Sequence, residues 1–314
     1  MPTFAQGSRS KLAYAVESTF GVAPAPATET YISLPFTSHG LNLTKDLVAG
    51  TDIQADRMPR HERHGNKQAA GDIVADLRGG DFDPFIESAM LGSFDVSDGS
   101  LLVGTTPKYF SIEDHTDNID QARLFTGQTV STMGISIAPN QMVTTTFGMV
   151  GKGMTISANQ AATVTAASVN SPFDAYSGDL KIGNNVAGLA SSAIITQIDF
   201  NVSNSFAPTF VVGSDETPAL EFGRAEITGS FSAYFEDAAL INRFLSETES
   251  AIEVSVTDTA SPVNSYAFTF PRIKINSADV GVDGPTSRVI SMSFTALYDT
   301  TANTNLKIVR TPFT

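Results

Sequence analysis

The chain contains no cysteine and no tryptophan among its 314 residues. Without cysteine it has no disulfide and no thiolate zinc site, so cysteine usage does not indicate a redox compartment. The lack of tryptophan argues against an outer-membrane barrel, which carries aromatic girdles. No apolar run approaches the roughly 18 residues of a spanning helix, and the N-terminus lacks the basic and then apolar order of a signal peptide. We therefore expect a soluble, non-secreted protein without membrane insertion.

Positive charge is also scarce. Lys and Arg number 19 against 33 Asp and Glu, which gives a formal net charge of −14. This balance disfavours general adhesion to nucleic acid or to an anionic membrane. The length is sufficient for two domains with ordinary hydrophobic cores.

Four short segments in the first half of the chain have counterparts, in the same order, in the second half. The first three are separated by 157 or 158 residues and the fourth by 147. A repeat this long indicates two fused domains rather than a solenoid. The pairs are Gly40–Leu43 with Gln197–Phe200, Gly71–Leu77 with Gly229–Phe235, Tyr109–Glu113 with Tyr266–Phe270, and Thr144–Phe147 with Ser291–Phe294.

Each unit is predicted to carry one short helix. In the first, Asp83 precedes an apolar segment as a candidate cap, Pro84 suits the first helical position, and Gly92 suits a left-handed end. In the second, Asp237 is the candidate cap for a helix over residues 238–245. The apolar residues of both helices fall on one face, which we expect to pack against a sheet: Phe85, Ile86, Leu240, Ile241 and Phe244.

The remaining regular structure is predicted to be β, with apolar and polar residues alternating as in a sheet that is wet on one side. In each unit a strand is followed by a long polar loop, which in the first unit runs through about Gln68, then by a strand, the helix and further strands. The strands of the first unit are predicted at Leu41–Leu47, Ala70–Leu77, Lys108–Glu113, Gln128–Ile137 and Met142–Val150. Those after the second helix are predicted at Ile252–Val256, Tyr266–Ile275 and Val289–Tyr298.

These elements divide the chain into four parts. We expect an N-terminal arm over residues 1–31, a first domain over 32–156, a connecting segment over 157–193 and a second domain over 194–314. The connecting segment is too long for a plain linker, and we expect a strand in it around Leu180–Ile182.

The opening of the chain, Gly7–Gly21 followed by Pro24 and Leu34–Ser38, resembles the tail tube (major tail) proteins of long-tailed bacteriophages. The resemblance continues through Gly71–Leu77, the first helix and the Phe125–Gly148 strands. It implies a mainly β fold with two tandem tail-tube-type β-sandwich domains, each with a short flanking helix, plus an extended arm and long loops. One sheet of each domain would join its neighbours to form the wall of a hollow tube for the viral genome.

The same resemblance implies partners and location. The usual family member has one such unit and forms six-membered rings, so three copies of this chain would supply six units in a trimeric, pseudo-sixfold ring. Its partners would be other copies of itself, the tape measure protein and the tail terminator or completion proteins, with double-stranded DNA in transient passage. It would be a structural protein of the virion tail, assembled in the host cytoplasm, and no enzyme. An acidic, hydroxylated lumen would repel DNA and keep its transit fast, although the net charge equally suits plain solubility.

Two oppositely charged loops are candidate contact sites. The resemblance implies that the first long loop reaches neighbouring subunits or rings, and our hypothesis is that it docks on an acidic surface of the adjacent ring. The alternative is a solvated loop. The basic residues of the first loop are Arg57, Arg60, Arg63 and Lys67, and the acidic residues of the matching second loop are Asp215, Glu216 and Glu221.

No catalytic, cofactor-binding or metal-binding constellation is expected. His61 and His64 are three residues apart, not four as in zinc proteases, and Pro59 and Gly65 favour a loop around them. The acidic run Asp114–Asp120 lacks the sixth-position glycine and twelfth-position glutamate of a calcium loop, and a solvated turn is expected. No Gly-x-Ser-x-Gly elbow is present.

Two other classes of protein remain as alternatives. A capsid decoration or fibre protein would also be β-rich, but it would form caps or spikes rather than hollow filaments. A β-sandwich glycan-acting enzyme would need paired carboxylates in a pocket commonly ringed by aromatic residues, and the absence of tryptophan disfavours it.

Overall fold

A computed structural model describes residues 4–25, 30–53, 56, 58–157, 164–166, 168, 170–192, 194–258, 264–282, 284–285 and 287–312. Over these residues the protein is mainly β, with two short α-helices. No described helix is both long and apolar enough to cross a membrane.

The first half of the chain contributes eleven strands and one α-helix in its described residues. They are β1 Ser10–Glu17, β2 Tyr31–Leu34, β3 Ser38–His39, β4 Asn42–Ala49, β5 Glu62–Asp76, α1 Asp83–Met90, β6 Ser100–Leu102, β7 Tyr109–Thr116, β8 Gln121–Ile137, β9 Thr144–Gly151, β10 Gly153–Ser157 and β11 Val164–Thr165.

The second half contributes the remaining ten strands and the other α-helix. They are β12 Asp179–Gly183, β13 Ala190–Ser191, β14 Ile195–Ser203, β15 Ala207–Pro208, β16 Leu220–Glu221, β17 Glu226–Tyr234, α2 Ala239–Leu245, β18 Ser250–Asp258, β19 Asn264–Val280, β20 Val289–Ala296 and β21 Lys307–Thr311. The predicted strands after each helix are confirmed, and several are longer than expected. The strand predicted around Leu180–Ile182 is confirmed as β12.

Both predicted helices are confirmed, but the ends of α1 differ from the prediction. Pro84 lies in the first turn as expected, whereas the cap position belongs to Phe82 and the side chain of Asp83 caps no amide. Leu91, with φ of 50°, takes the left-handed conformation predicted for Gly92. In α2 the Asp237 carboxylate does accept a hydrogen bond, at 2.7 Å, from the amide of Ala239.

The apolar faces of the helices pack as predicted. Phe85 and Ile86 are fully buried. Leu240, Ile241 and Phe244 are partly buried against the same hydrophobic core, which extends through both halves of the chain. Burying a side chain as large as Phe85 contributes about 1.5–3 kcal/mol of stability.

The strands of the two halves pair in the same order. In the first half the order is β4–β5–β9–β8–β7–β1–β2, and in the second it is β14–β17–β20–β19–β18–β12–β13. Every one of these neighbouring pairs is antiparallel. β8 and β19 each have 17 residues. The first part of β8 pairs with β7 and its last part with β9, just as the first part of β19 pairs with β18 and its last part with β20. A bulge falls at Ser131 in β8 and at Asn276 in β19.

This pairing corrects one of the four segment matches. Tyr109–Glu113 lies in β7, whose counterpart by pairing order is β18, whereas Tyr266–Phe270 lies in β19, the counterpart of β8. The match is therefore wrong. Both segments begin with tyrosine and carry further large apolar residues, and such a pattern does not distinguish adjacent strands of one sheet.

The two halves are joined through β8 and β14, which pair from Ile137 with Ile198 to Thr132 with Ser203. This joint gives a continuous eight-stranded antiparallel sheet in the order β4–β5–β9–β8–β14–β17–β20–β19. A second joint pairs β6 of the first half with β21 of the second.

The segments predicted as arm and connection carry strands of the sheets. β1 pairs with β7 at eight consecutive positions, so residues 10–17 are part of the first half rather than an arm. Leu12 and Tyr14, on β1, are buried, and that burial fixes the strand. β12, from the predicted connecting segment, pairs with β18 in the second half.

Candidate assembly surface

One face of the eight-stranded sheet is buried and the other carries mostly hydroxyl and amide groups. The sequence analysis did not predict this face. Directly paired residues share a face, so the strand registers define it without ambiguity. We call it the hydroxyl face. On the central strands it includes Thr144, Thr146, Thr132, Gly134, Ser136, Asp199, Asn201, Ser203, Thr228, Ser230, Ser232, Ser291, Ser293 and Thr295.

Hydrogen bonds between neighbouring strands hold several of these side chains in place. The Ser136 hydroxyl donates to Asp199 at 2.5 Å, and Asp199 also accepts from the Gln197 amide at 2.7 Å. On the far strands, the hydroxyls of Ser277 and Ser293 lie 2.6 Å apart. The face is therefore a ladder of short polar groups.

Its charge is almost entirely negative. Asp72, Asp199 and Asp279 lie on it. Lys274, opposite Thr295, is a cation on the same face, but its ammonium group lies 2.7 Å from the carboxylate of Glu247. An anion facing this surface would meet hydroxyls and carboxylates and little uncompensated positive charge.

The predicted long loop of the first half is largely a β-hairpin instead. β4 and the first part of β5 pair from Asn42 with Ala70 to Ala49 with Glu62, so only the segment between Ala49 and Glu62 connects the two strands. We call this hairpin, residues 42–70, the first arm; it is distinct from the N-terminal arm predicted over residues 1–31. Its exposed apolar residues include Leu47, at 67% exposure, and Ile53, at 99%. The prediction was wrong because polar residues occupy both faces here, so no alternation marks the strand.

The predicted acidic loop lies against the first arm within the same chain. The Lys67 ammonium group lies 3.3 Å from the Asp215 carboxylate and 3.0 Å from that of Glu216. The Lys67 amide donates to the Asp215 carbonyl at 2.8 Å. The hydrogen bond to Glu216 is the main reason that the pKa of Lys67 is raised. Three of the seven predicted contact residues are thus brought together.

Of the other four candidates, the three that the structure describes are placed separately. Arg60 pairs with Asp56 in the first arm. Arg63 is exposed in β5 opposite Val48, and Glu221 is exposed in β16, where its partner is Ala207. Arg57 lies outside the described residues.

The acidic run Asp114–Asp120 is not a solvated turn throughout, which corrects the prediction. Asp114 is 4% exposed, and its carboxylate accepts from Arg123 Nε at 2.9 Å and lies 3.6 Å from His39. Burial would raise the pKa of Asp114, but the hydrogen bonds from Arg123 and the nearby His39 imidazole hold it below its ordinary value. Its charge is used for ion pairing.

No described group of three or more His, Cys, Asp or Glu residues has the geometry to hold a metal ion. His64 lies in β5 opposite Leu47, and His61 is exposed directly before the start of β5.

A buried polar contact crosses between the two halves. Asp83, at the start of α1, accepts hydrogen bonds from the Tyr266 hydroxyl and from the Arg310 guanidinium group. Burial raises the pKa of Asp83, although Tyr266 and Arg310 oppose that rise. The Arg310 guanidinium carbon also lies 4.6 Å from the centre of the Phe94 ring.

The family model described as phage tail tube protein matches residues 7–296. The chain belongs to that family. Its members are structural components of the phage tail rather than enzymes, and this chain is accordingly a structural protein of the virion tail. The predicted resemblance is confirmed at the level of the family.

Two further comparisons accompany the family match. No curated protein matches the chain. Among solved structures, a crystal structure of an Hcp protein is similar at 16% identity with a TM-score of 0.24, covering 41% of this chain and 96% of its own.

The hydroxyl face could have been detected in part from the sequence. The clearest signal lies in Ser291–Thr295, where hydroxyl residues recur at alternate positions, and Thr144–Thr146 is a run of three threonines. The sequence does not say which of these strands are neighbours, so the continuous face emerges only from the pairing.

Proposed function

We propose that this protein self-assembles into stacked rings that form the tail tube, the conduit through which the genome leaves the virion. The observation that carries the proposal is the family match over residues 7–296. The continuous sheet supports it, because a strand-by-strand wall that already spans two halves of one chain is readily extended by further copies.

We further propose that the chain holds two tandem tube domains, so that three copies close a ring of six. The identical pairing orders β4–β5–β9–β8–β7–β1–β2 and β14–β17–β20–β19–β18–β12–β13 support this proposal. A ring requires a head-to-tail contact whose rotation closes. A chain with two similar units needs only three such contacts between copies.

The hydroxyl face is proposed to line the bore. Proteins hold double-stranded DNA by neutralising its phosphates with Lys and Arg, and Lys274, a cation on this face, is paired with Glu247. Such a wall leaves DNA hydrated and free to slide. The opposite face of the sheet packs against the hydrophobic core, so it is not available to line a bore.

The first arm is proposed to contact the adjacent ring through Arg60 and Arg63, with the tape measure and the terminator or completion proteins binding inside and at the ends of the tube. Lys67 is already paired within the chain. It is therefore assigned to positioning the second-half loop, residues 204–223, beside the first arm.

Electron microscopy of the purified protein tests the tube. The expected result is hollow filaments of constant bore, and closed particles or spikes would contradict the proposal.

Native mass spectrometry of single rings tests the stoichiometry, with three chains expected. Six chains per ring would overturn the trimer and leave the tube intact.

A further inference from the structure

The joint between the two halves has a complete register. The part of β8 after the Ser131 bulge pairs with β9 on one edge and with β14 on the other. In the joint with β14, Thr132 lies opposite Ser203 and Gly134 lies opposite Asn201. These positions are on the hydroxyl face, while Met133 opposite Val202 and Ile135 opposite Phe200 are on the core face.

The β8 side of this joint has a counterpart in β19, but in β19 no second strand pairs with it in the described chain. Gly71 lies opposite Met149, which lies opposite Val130, one residue before the bulge in β8. In the second half Gly229 lies opposite Phe294, which lies opposite Ile275, one residue before the bulge in β19. Residues 277–280 pair with β20 on one edge, and no strand of the described chain occupies the other.

The β14 side of the joint has a counterpart in β4, where the edge that would make the joint is again unpaired among the described residues. Asn42 lies opposite Ala70, the residue before Gly71, just as Asn201 lies opposite Thr228, the residue before Gly229. β4 is therefore the counterpart of β14. It pairs with β5 along one edge, and its other edge is open among the described residues.

We propose that these two open edges bind each other between copies of the chain, in the register of the internal joint. Ser277 of one copy then lies opposite Thr44 of the next, and Asp279 lies opposite Asn42. The inference rests on the proposed self-assembly and names the strands and the register that perform it. Unpaired edges are ready templates for pairing with another chain, and head-to-tail contacts of this kind generate rings or filaments.

The side chains on both faces suit that register. On the core face Val280 would meet Leu41 and Ala278 would meet Leu43. Leu43, Ala278 and Val280 are only partly buried in the single chain, so pairing would remove their remaining apolar surface from water. On the hydroxyl face the opposed pairs contain no like charges, since Asp279 would meet the uncharged Asn42. The hydroxyl face would thus continue from one copy to the next.

Paired cysteine substitutions test the register cleanly, because the chain has no cysteine. The test variants are Ser277→Cys with Thr44→Cys, and Asp279→Cys with Asn42→Cys, since opposed residues bring their Cβ atoms within disulfide range. The internal positive control is Thr132→Cys with Ser203→Cys. The mismatched control, Asp279→Cys with Asp46→Cys, is shifted by four residues, or about 13 Å along the strand.

After mild oxidation of the assembled protein, both test variants are expected to give reducible dimers and trimers on a denaturing gel, and the mismatched control only monomer. The internal control should give monomer with an intrachain bond. If both test variants formed filaments without cross-links, the register would be overturned but not the tube. The same would follow if the mismatched control cross-linked as much as the test variants. Cross-linked rings that never stack would support the joint and contradict the tube. Wild-type protein that stays monomeric in native solution, together with no cross-linking in the two test variants, would overturn both.

Discussion

The hydroxyl of Tyr266, in β19, donates a hydrogen bond to the carboxylate of Asp83, at the start of α1 in the other half of the chain. The same Tyr266 oxygen accepts from the Gly80 amide at 3.0 Å, and the second Asp83 oxygen accepts from Arg310. The contact therefore fixes how the two halves meet, through groups that are largely removed from water.

Asp83→Asn is expected to destabilise the chain by about 3 kcal/mol, because it removes the charged carboxylate that pairs with the Arg310 guanidinium group in a mostly buried position. Tyr266→Phe should cost less, about 1.5–3 kcal/mol, since it removes a hydrogen bond to a charged group. Urea unfolding of dilute, unassembled protein measures both. Tyr234→Phe, at a 49% exposed tyrosine, serves as control and should change little. A wild-type midpoint for Asp83→Asn would contradict the structural role.

Gly71→Ala is expected to destabilise the sheet by about 1–3 kcal/mol, since the backbone conformation there is strained for any other residue. Gly71 has φ of 150°, and a Cβ atom would lie 2.3 Å from the Gly40 carbonyl oxygen. Gly134→Ala is the matched control, because its nearest atom would be 3.8 Å away. If both variants unfolded at the same urea concentration, the close approach of β5 to Gly40 would not be the reason for the glycine.

Stability should fall in alkaline solution because of Tyr14. Burial, and then the charges of Asp81 and Asp83, raise the pKa of Tyr14 from 10.0 to about 12. The unfolded chain ionises first, so the contribution is complete below pH 10 and is lost as the pH rises toward 12. Each pH unit in that window costs about 1.4 kcal/mol, or roughly 2–3 kcal/mol in total.

The comparison with Tyr14→Phe isolates this effect, because phenylalanine keeps the ring contacts with Phe85 and Phe110. The difference in unfolding free energy between wild type and variant, measured by urea titration from pH 8 to 11.5, should shrink or change sign as pH rises. A constant difference across that range would mean that the hydroxyl ionises as readily in the folded chain as in the unfolded one. Burial also raises the pKa of Tyr266, so part of the decline should persist in Tyr14→Phe.

Local signals predicted the helices and most strands, because Pro84, the Asp237 carboxylate and alternation act over a few residues. They failed where the decisive partner is distant in sequence. Asp83 looks like a cap until Tyr266 and Arg310 are placed beside it. The upper part of β5, around Arg63, carries polar residues on both faces and has no alternation to detect.

The candidate site was predictable only in part, for the same reason. The charge complementarity of Lys67 with Asp215 and Glu216 was visible in the sequence, but not that one chain satisfies it internally. The hydroxyl face needed the order of eight strands drawn from both halves. Polar and apolar residues alternate within each strand. Only the pairing of β8 with β14 joins the strands of the two halves into one continuous surface.

Arg60→Glu with Arg63→Glu is expected to lower tube yield strongly while leaving the monomer folded, if the first arm docks on an acidic surface of the adjacent ring. Filament length by electron microscopy and the urea midpoint of unassembled protein give the two readouts. Arg9→Glu with Lys11→Glu makes the same change in charge at exposed positions of the first half and should assemble. Wild-type filaments from the arm variant would remove the arm arginines from the interface.

Lysines placed on the hydroxyl face should make the bore adhere to DNA. Thr228→Lys with Ser230→Lys adds two positive charges at exposed positions of β17, or six per three-chain ring. Each phosphate contact contributes through counterion release, so binding should be strong at low salt and fall steeply as salt rises. Co-sedimentation of tubes with a short duplex measures it, with Thr228→Gln and Ser230→Gln as the uncharged control. If the lysine tubes bound no more duplex than the glutamine tubes while retaining an open bore, the hydroxyl face would not be the surface that DNA meets. The lumen would then have to be sought elsewhere, because the other side of the sheet is occupied by the core.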